Sequence, residues 1–454
     1  GKGPEEHVAG ISRLIGLRKA DKPGYCERLS CNNNSMPRYL RGYFHKYKQF
    51  FYDHVVQSPY EESYNVWLHQ EHPKRKLRRA CHLEQERDLS FNNSLRNPIC
   101  GKLKPGEIIA APGKARMIAD LGVSNTQVTA CQIPHVKDAM GVPYFVGPHE
   151  VRYIGSPDHD VLTDLFKWLM DPPTGGLRMC YFSDDCCFSV KCRDGVLWAN
   201  GDISQCDGSH RSGLFNLVEQ FLTTNVDGTR SEFFGSITKA FSLLQNQFVV
   251  RNAHNAKEKK TYKFNEPKLY SGSTLTTVVN NFASLAMFFS LVKLVPDPSL
   301  VTRSQYAAAY ALAAEKVGYI VKCSVCETVE QLQFLKHFPC RGSDGNYHAI
   351  MSIGTFMKGF GRVYGDLPPE YGNRMVPLAD RFRKFNREVV VGRSGWGNHE
   401  INRAFEYSTG LTTDDVSAIR EAQILKSTGG FRSVLFSLAQ LSIRYSCPVG
   451  ELEE

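Results

Sequence analysis

The chain has 454 residues, enough for a sizeable core spread over about two to four domains or one many-lobed enzyme. At 42% apolar and 22% charged residues, wholesale disorder and fibrous repeats are excluded. Lys and Arg number 55 against 46 Asp and Glu, and the resulting +9 favours a polyanionic partner without requiring one.

The 14 cysteines would suit a disulfide framework only in a short secreted chain, and no signal-peptide pattern opens this sequence, so free thiols in a reducing compartment are expected. The longest apolar run free of charge and amide, Phe282–Val292, falls short of the roughly 18 residues that a spanning helix needs, so no membrane-spanning segment is expected. Gly1 in place of Met points to a processed or truncated start. There is no repeat at solenoid or propeller periods. Walker A, Gly-x-Ser-x-Gly and His-Glu-x-x-His patterns are also absent, which leaves those NTPase and hydrolase classes without support.

In chain order, residues 1–110 are polar and rich in charge, and Pro73–Arg79 has five cationic side chains in seven positions. That run is either a solvated helix face or a strip for phosphate. Two short apolar runs, Met179–Phe182 and Cys186–Val190, flank Ser183, Asp184 and Asp185, which reads as a β-hairpin with an acidic tip. Asp194–Gly195 offers a two-residue turn, since both residue types tolerate positive φ, into a third strand at Val196–Ala199. Three consecutive antiparallel strands are expected, the last leading to Asp202 and Asp207. Leu214–Leu222 has helical spacing, and residues 223–270 mix basic and turn-forming stretches. A long helix is expected from just after Ser271 and Gly272, through Thr276 and Asn280, with Phe282–Val292 turned to the core. Another helix follows at Tyr306–Val317 and a strand at Tyr319–Lys322. Beyond residue 341 rising Gly and Arg content suggests a separate C-terminal lobe with a turn at Pro368–Pro369.

Asp202 follows Asp185 closely, and the intervening turn folds its strand back beside the acidic tip, so Asp184, Asp185 and Asp202 can converge. Hard divalent cations take carboxylate oxygens and substrate phosphates, and a pair of them about 3.5–4 Å apart can clamp both oxygens of a phosphoryl transfer. Taken alone, an Asp-Asp pair is far more often a simple turn. Thr276 and Asn280 are i and i+4 on one helix face, where a hydroxyl and an amide can bond a ribose hydroxyl while Gly272 gives backbone freedom at the entrance. The plainer reading is a helix start capped by Ser271.

These segments resemble the catalytic motifs of viral RNA-dependent RNA polymerases. Tyr181–Asp185 is similar to motif C. Asp202–Asp207, with four residues between its aspartates, is similar to motif A, and Ser271–Asn280 to motif B. Most such polymerases run A, B, C; here the order is C, A, B, that of the circularly permuted palm of birnaviruses and permutotetraviruses. Gly113–Ile118 resembles the basic motif F, Gly318–Lys322 sits where motif D is expected, and Phe334–Phe338 resembles motif E. The tip departs from the pattern, since birnaviruses carry Ala-Asp-Asn and most plus-strand viruses Gly-Asp-Asp where this chain has Ser183, Asp184 and Asp185. The chain is also markedly shorter than birnavirus polymerases.

The resemblance implies an α+β right-hand polymerase fold with an antiparallel palm sheet: fingers at 1–150 and 208–270, palm at 151–207 and 271–344, thumb at 345–454. It implies template-directed RNA synthesis from NTPs, with RNA template and product as partners and the host cytoplasm or a virion as location. Asp184 and Asp202 would be the principal ligands of two Mg²⁺ or Mn²⁺ ions, with Asp185 auxiliary. Lys114 and Arg116 would face the triphosphate. Asp207, Thr276 and Asn280 would sense the 2′-hydroxyl, Ser271 and Gly272 would open a mobile loop, and Lys322 would be the catalytic proton donor to pyrophosphate. Two alternatives stay open. Tyr181–Asp185 also has the Tyr-x-x-Asp-Asp shape of reverse transcriptases, against which Asn280 and the Ser-Gly helix weigh. A non-catalytic basic RNA-binding or capsid-associated protein would explain the charge, but not three acids gathered where a polyanion binds. Cys323, Cys326, His337 and Cys340 make four conceivable zinc ligands, although their strand-like setting favours ordinary buried thiols.

Overall fold

The fold is that of a computed structural model that describes residues 36–70, 97–101, 117–155, 157, 159–245, 247–251, 259–263, 266–354 and 436–454. Lys114, Arg116, the basic run at 73–79 and the Pro368–Pro369 turn lie outside the described residues, as does most of the expected thumb. In chain order the strands are β1 (Asn97–Gly101), β2 (Met117–Ala119), β3 (Tyr144–Val146), β4 (His149–Tyr153), β5 (Leu177–Phe182), β6 (Asp185–Cys192), β7 (Gly195–Ile203), β8 (Phe248–Arg251), β9 (Lys259–Tyr262), β10 (Val321–Cys326), β11 (His337–Arg341) and β12 (Tyr347–Met351).

The expected three-stranded unit forms as β5, β6 and β7 and becomes the middle of a six-stranded sheet ordered β10-β7-β6-β5-β4-β3. All neighbours are antiparallel except β4 and β5. Alternation along the strands assigns each residue to one of two faces. On one face Met179, Tyr181, Cys186, Phe188, Leu197 and Ala199 enter the main core. On the other, Cys180 and Cys187 pack with Leu162, Phe166 and Leu169 of the His159–Met170 helix. Both faces are therefore covered, which is why these strands read as apolar runs rather than as a clean alternation.

The Thr276–Leu294 helix crosses the main core and is buried from Val278 to Val292 on every side. A helix that is apolar all round has no solvent face to offer. Among the described residues it alone has the length and composition to cross a membrane, more than the Phe282–Val292 run suggests, but most of it is buried inside the protein. The Arg38–His54 helix buries Leu40, Phe44, Tyr47 and Phe51 in the same core and meets the long helix through Phe44, stacked on Phe282 and edge-on to Phe289, and through Tyr47, edge-on to Phe289. Burial of each such ring stabilises by roughly 1.5–3 kcal/mol. A second sheet, ordered β2-β1-β8-β9, joins the chain near residue 100 to the chain near residue 250.

Several boundaries differ from the expected ones for local reasons. The β6–β7 turn is Arg193–Asp194, one residue early and with neither φ positive, because the Arg193 N–H donates to the Val301 carbonyl and the Arg303 N–H to Asp194 Oδ1, each at 2.8 Å. The long helix begins at Thr276, after a turn in which Gly272 has φ +104°. Strand β10 begins at Val321 because Tyr319 still belongs to the end of the Arg303–Lys316 helix. Its N–H reaches back to the Ala314 carbonyl over Gly318 at φ +88°, a Schellman-type stop. Leu335 and Lys336, both with positive φ, turn the chain before β11, so the expected motif E strand is shifted onto His337–Arg341. The expected division at 344/345 falls in the β11–β12 hairpin, and that at 150/151 falls inside β4.

Candidate active site

The acidic tip is a two-residue turn, Ser183–Asp184, closed by the Phe182–Asp185 pair. Across the sheet Asp185 is directly opposite Asp202, and Asp202 is directly opposite Lys322. Directly opposed residues share a sheet face, so Asp185, Asp202 and Lys322 form one row, with Asp202 and Lys322 exposed. Asp184 is held beside them, since the Ile203 N–H approaches its carbonyl at 3.4 Å. Asp185 accepts the Leu335 N–H at 3.2 Å. Burial pushes its carboxyl up to about 6; the Leu335 N–H opposes the shift and the charges of Asp184 and Asp202 add to it. The three carboxylates thus lie within one electrostatic neighbourhood.

The tip is fastened to the long helix. Ser183 is a non-glycine residue at φ +59°, a conformation that needs compensation. It has three bonds: Asn280 Nδ2 donates to Ser183 Oγ at 2.9 Å, the Ser183 N–H donates to Asn281 Oδ1 at 2.8 Å, and Ser284 Oγ donates to the Ser183 carbonyl at 2.7 Å. Asn280 Nδ2 also donates to Asp207 Oδ1 at 2.9 Å, and Ser271 Oγ donates to Asp207 Oδ2. The segments resembling motifs A, B and C are therefore bonded to one another at Asp207, Ser271, Asn280 and Ser183. Thr276 opens the helix, and its hydroxyl donates to the Tyr270 carbonyl at 3.3 Å.

Gly272 is required where it stands, because a Cβ there would lie 2.6 Å from the Ala119 carbonyl oxygen. That contact belongs to a junction in which the Ala119 N–H donates to the Ser271 carbonyl at 2.8 Å. Strand β2, which directly follows Arg116 in sequence, is thereby docked on the Ser271–Gly272 turn.

Asp184 and Asp202 suit a hard divalent ion by chemistry, since Mg²⁺ is usually held by one or two carboxylates with water and substrate phosphate completing the shell. Among the described residues no group of three or more His, Cys, Asp or Glu is gathered as a metal site. The nearby thiols make poor metal ligands, because burial pushes Cys186, Cys187 and Cys206 well up, and the charges of Asp207, Asp184 and Asp202 add to this at Cys206. Cys323 packs on the main-core face of the sheet and Cys326 on the opposite face, and His337 Nδ1 bonds the Leu335 carbonyl at 2.7 Å.

Sequence reasoning does not find His210 or Tyr319. His210 is fully buried beneath Asn280, with Nε2 2.6 Å from Asn280 Oδ1 and Nδ1 2.8 Å from the Tyr319 hydroxyl. The available signal is the polar residues set within the otherwise apolar helix, Asn280, Asn281 and Ser284 among them, which must have partners if buried.

No family model matches the chain, and no curated protein matches it. Among solved structures it is similar to a chain of the birnavirus VP1–VP3 complex, at TM-score 0.45 and 11% identity over 68% of this chain and 43% of that one. It is also similar to the RNA polymerase VP1 from infectious pancreatic necrosis virus, at TM-score 0.42 and 10% identity over 68% and 42%. The chain spans less than half the length of either.

Proposed function

We propose that this chain is a template-directed RNA polymerase that joins NTPs by two-metal nucleotidyl transfer, with a right-hand architecture whose motifs follow the permuted order. The supporting observation is the meeting of three segments at one end of one sheet, the third far from the other two in sequence: Asp185 paired with Asp202, and Asp207 bonded to both Ser271 and Asn280. A basic RNA-binding protein has no need of this row of acids, which repels phosphate unless cations bridge it.

In this reading Asp184 and Asp202 would hold Mg²⁺ or Mn²⁺, which would supply positive charge opposite the α-phosphate and lower the pKa of the primer 3′-hydroxyl. Asp185 stands beside them, its Oδ2 engaged by Leu335. Each Asp207 oxygen accepts one bond within the protein and keeps a lone pair for a ribose 2′-hydroxyl, with Asn280 holding the carboxylate in place. Lys114 and Arg116, which precede β2 in sequence, would bind the triphosphate. Lys322, beside Asp202 on β10, gives a proton to the leaving pyrophosphate. The palm comprises 151–207 and 271–344, extended to 144 and to 351 so that β3, β4 and the β11–β12 hairpin stay whole, and the thumb is assigned to the residues after it. The β1–β8 pairing supports grouping the residues before 144 with 208–270 as fingers.

The test is incorporation of labelled NTP by the purified chain on an RNA template with Mg²⁺ or Mn²⁺. Asp184→Ala and Asp202→Ala should each reduce incorporation to background with unchanged circular dichroism. Normal incorporation by either folded variant overturns the assignment.

A further inference from the structure

We infer that His210 is a positioning residue for sugar selection: through a one-way chain of hydrogen bonds from Tyr319 it fixes the amide of Asn280 with its nitrogen turned towards Asp207. The inference deepens the polymerase reading and rests on it for the sugar.

The direction of the chain follows from which groups can donate. A carboxylate only accepts, so the Asn280 group facing Asp207 Oδ1 at 2.9 Å is the NH₂. The amide carbonyl then faces the other way, 2.6 Å from His210 Nε2 and 3.2 Å from the Cys206 thiol. An unprotonated Nε2 would set two lone pairs against each other at that distance, so Nε2 carries the hydrogen. In the neutral ring Nδ1 is left as an acceptor, and the Tyr319 hydroxyl 2.8 Å away supplies the donor. The sequence is Tyr319 O–H to His210, His210 N–H to Asn280, and Asn280 N–H to Asp207 and Ser183.

Asp207 and Ser183 hold the nitrogen end of the amide, and His210 is the strong donor at its oxygen end. His210 and Tyr319 are fully buried and Asn280 nearly so, a low-dielectric setting that strengthens each bond. Without His210 the carbonyl keeps only a thiol, a weak donor, and the amide can turn. A turned amide presents oxygen to the Asp207 carboxylate, which must then shift from the place where a 2′-hydroxyl is met. Tyr319 also stands two residues before β10, so the chain links the strand of Lys322 to the sugar site.

His210→Phe keeps the ring volume and removes both nitrogens. His210→Gln can still donate to Asn280, and Tyr319→Phe removes only the first link. On the full-length chain, the ratio of kcat/KM for NTP over dNTP should fall about tenfold in His210→Phe, the worth of one buried hydrogen bond. It should recover substantially in His210→Gln and fall by a smaller factor in Tyr319→Phe. Equal losses for both sugars, leaving the ratio unchanged in the folded variants, overturn the inference. Nitrogen NMR of the wild-type imidazole gives a second reading that needs no turnover and no variant: an Nε2–H tautomer is expected, and an Nδ1–H tautomer overturns the chain. If the wild type incorporates no NTP, the polymerase reading falls and the sugar-selection role falls with it, while the tautomer still decides whether His210 donates to Asn280.

Discussion

Asp185→Asn tests whether the acids around the Ser183–Asp184 turn share one field. Burial, reinforced by the charges of Asp184 and Asp202, holds the Asp185 carboxyl at about 6 against an ordinary 3.8, although the Leu335 N–H favours the anion. Between these values the folded chain keeps a proton that the unfolded chain has released. Its contribution to stability is complete below about pH 4 and is lost as pH rises through about 6. At ~1.4 kcal/mol per unit, a shift of about two units sets a ceiling of ~3 kcal/mol. Asn cannot ionise and keeps an Oδ1 for the Leu335 N–H. The variant should therefore match wild type near pH 4 and exceed it by about 2–3 kcal/mol near pH 7. Urea unfolding of both chains across this range, with a chelator present to remove divalent ions, reads the difference while titrations common to both chains cancel. A difference independent of pH would refute the assigned cause, and one that grows towards acid would reverse its sign.

Asn280→Ala leaves Asp207, Ser183 and His210 each short of a buried partner, and should destabilise by about 3 kcal/mol in chemical unfolding. It should also narrow the gap between NTP and dNTP use, and an unchanged ratio in single-nucleotide assays would argue against its ribose role. Gly272→Ala forces a Cβ against the Ala119 carbonyl at φ +104°, for a loss of about 2–4 kcal/mol. If strand β2 delivers the basic segment to the triphosphate, the same variant should raise KM for NTP more than it lowers kcat; an unaltered KM would sever that link.

The local parts of this fold are legible in the sequence because their partners are close in the chain. The run from Leu177 to Ile203 shows its three strands through apolar runs and turn residues, and the Arg193–Asp194 turn differs from expectation only because Val301 and Arg303, more than 100 residues on, bond to it. The Arg38–His54 helix is a different failure. Leu40, Phe44, Tyr47 and Phe51 have helical spacing, but they are set among enough charge that the polar character of residues 1–110 conceals a core element. At the site, the acids and Asn280 are identifiable because their residue types and spacing are unusual. His210 is not, since a lone histidine has no pattern and its role exists only through Asn280 and Tyr319.

The shuffled order of the motif-like segments is physically inexpensive. The Asp185–Asp202 pairing needs only a two-residue turn, so the acidic row assembles from neighbours in the chain. The demanding contacts are those of the Thr276–Leu294 helix, which reaches back 97 residues to Ser183 and 73 to Asp207. Loop-closure entropy grows only logarithmically, by ~0.6 kcal/mol for each doubling of loop length, so changing which connections are long alters stability little. An unpartnered polar group inside an apolar helix costs about 1–3 kcal/mol, and Asn280, Asn281 and Ser284 all find their partner in the Ser183 turn. Those three bonds hold the helix in register against the acidic tip, and any chain order that preserves them and the β6–β7 pairing arrives at the same arrangement of side chains.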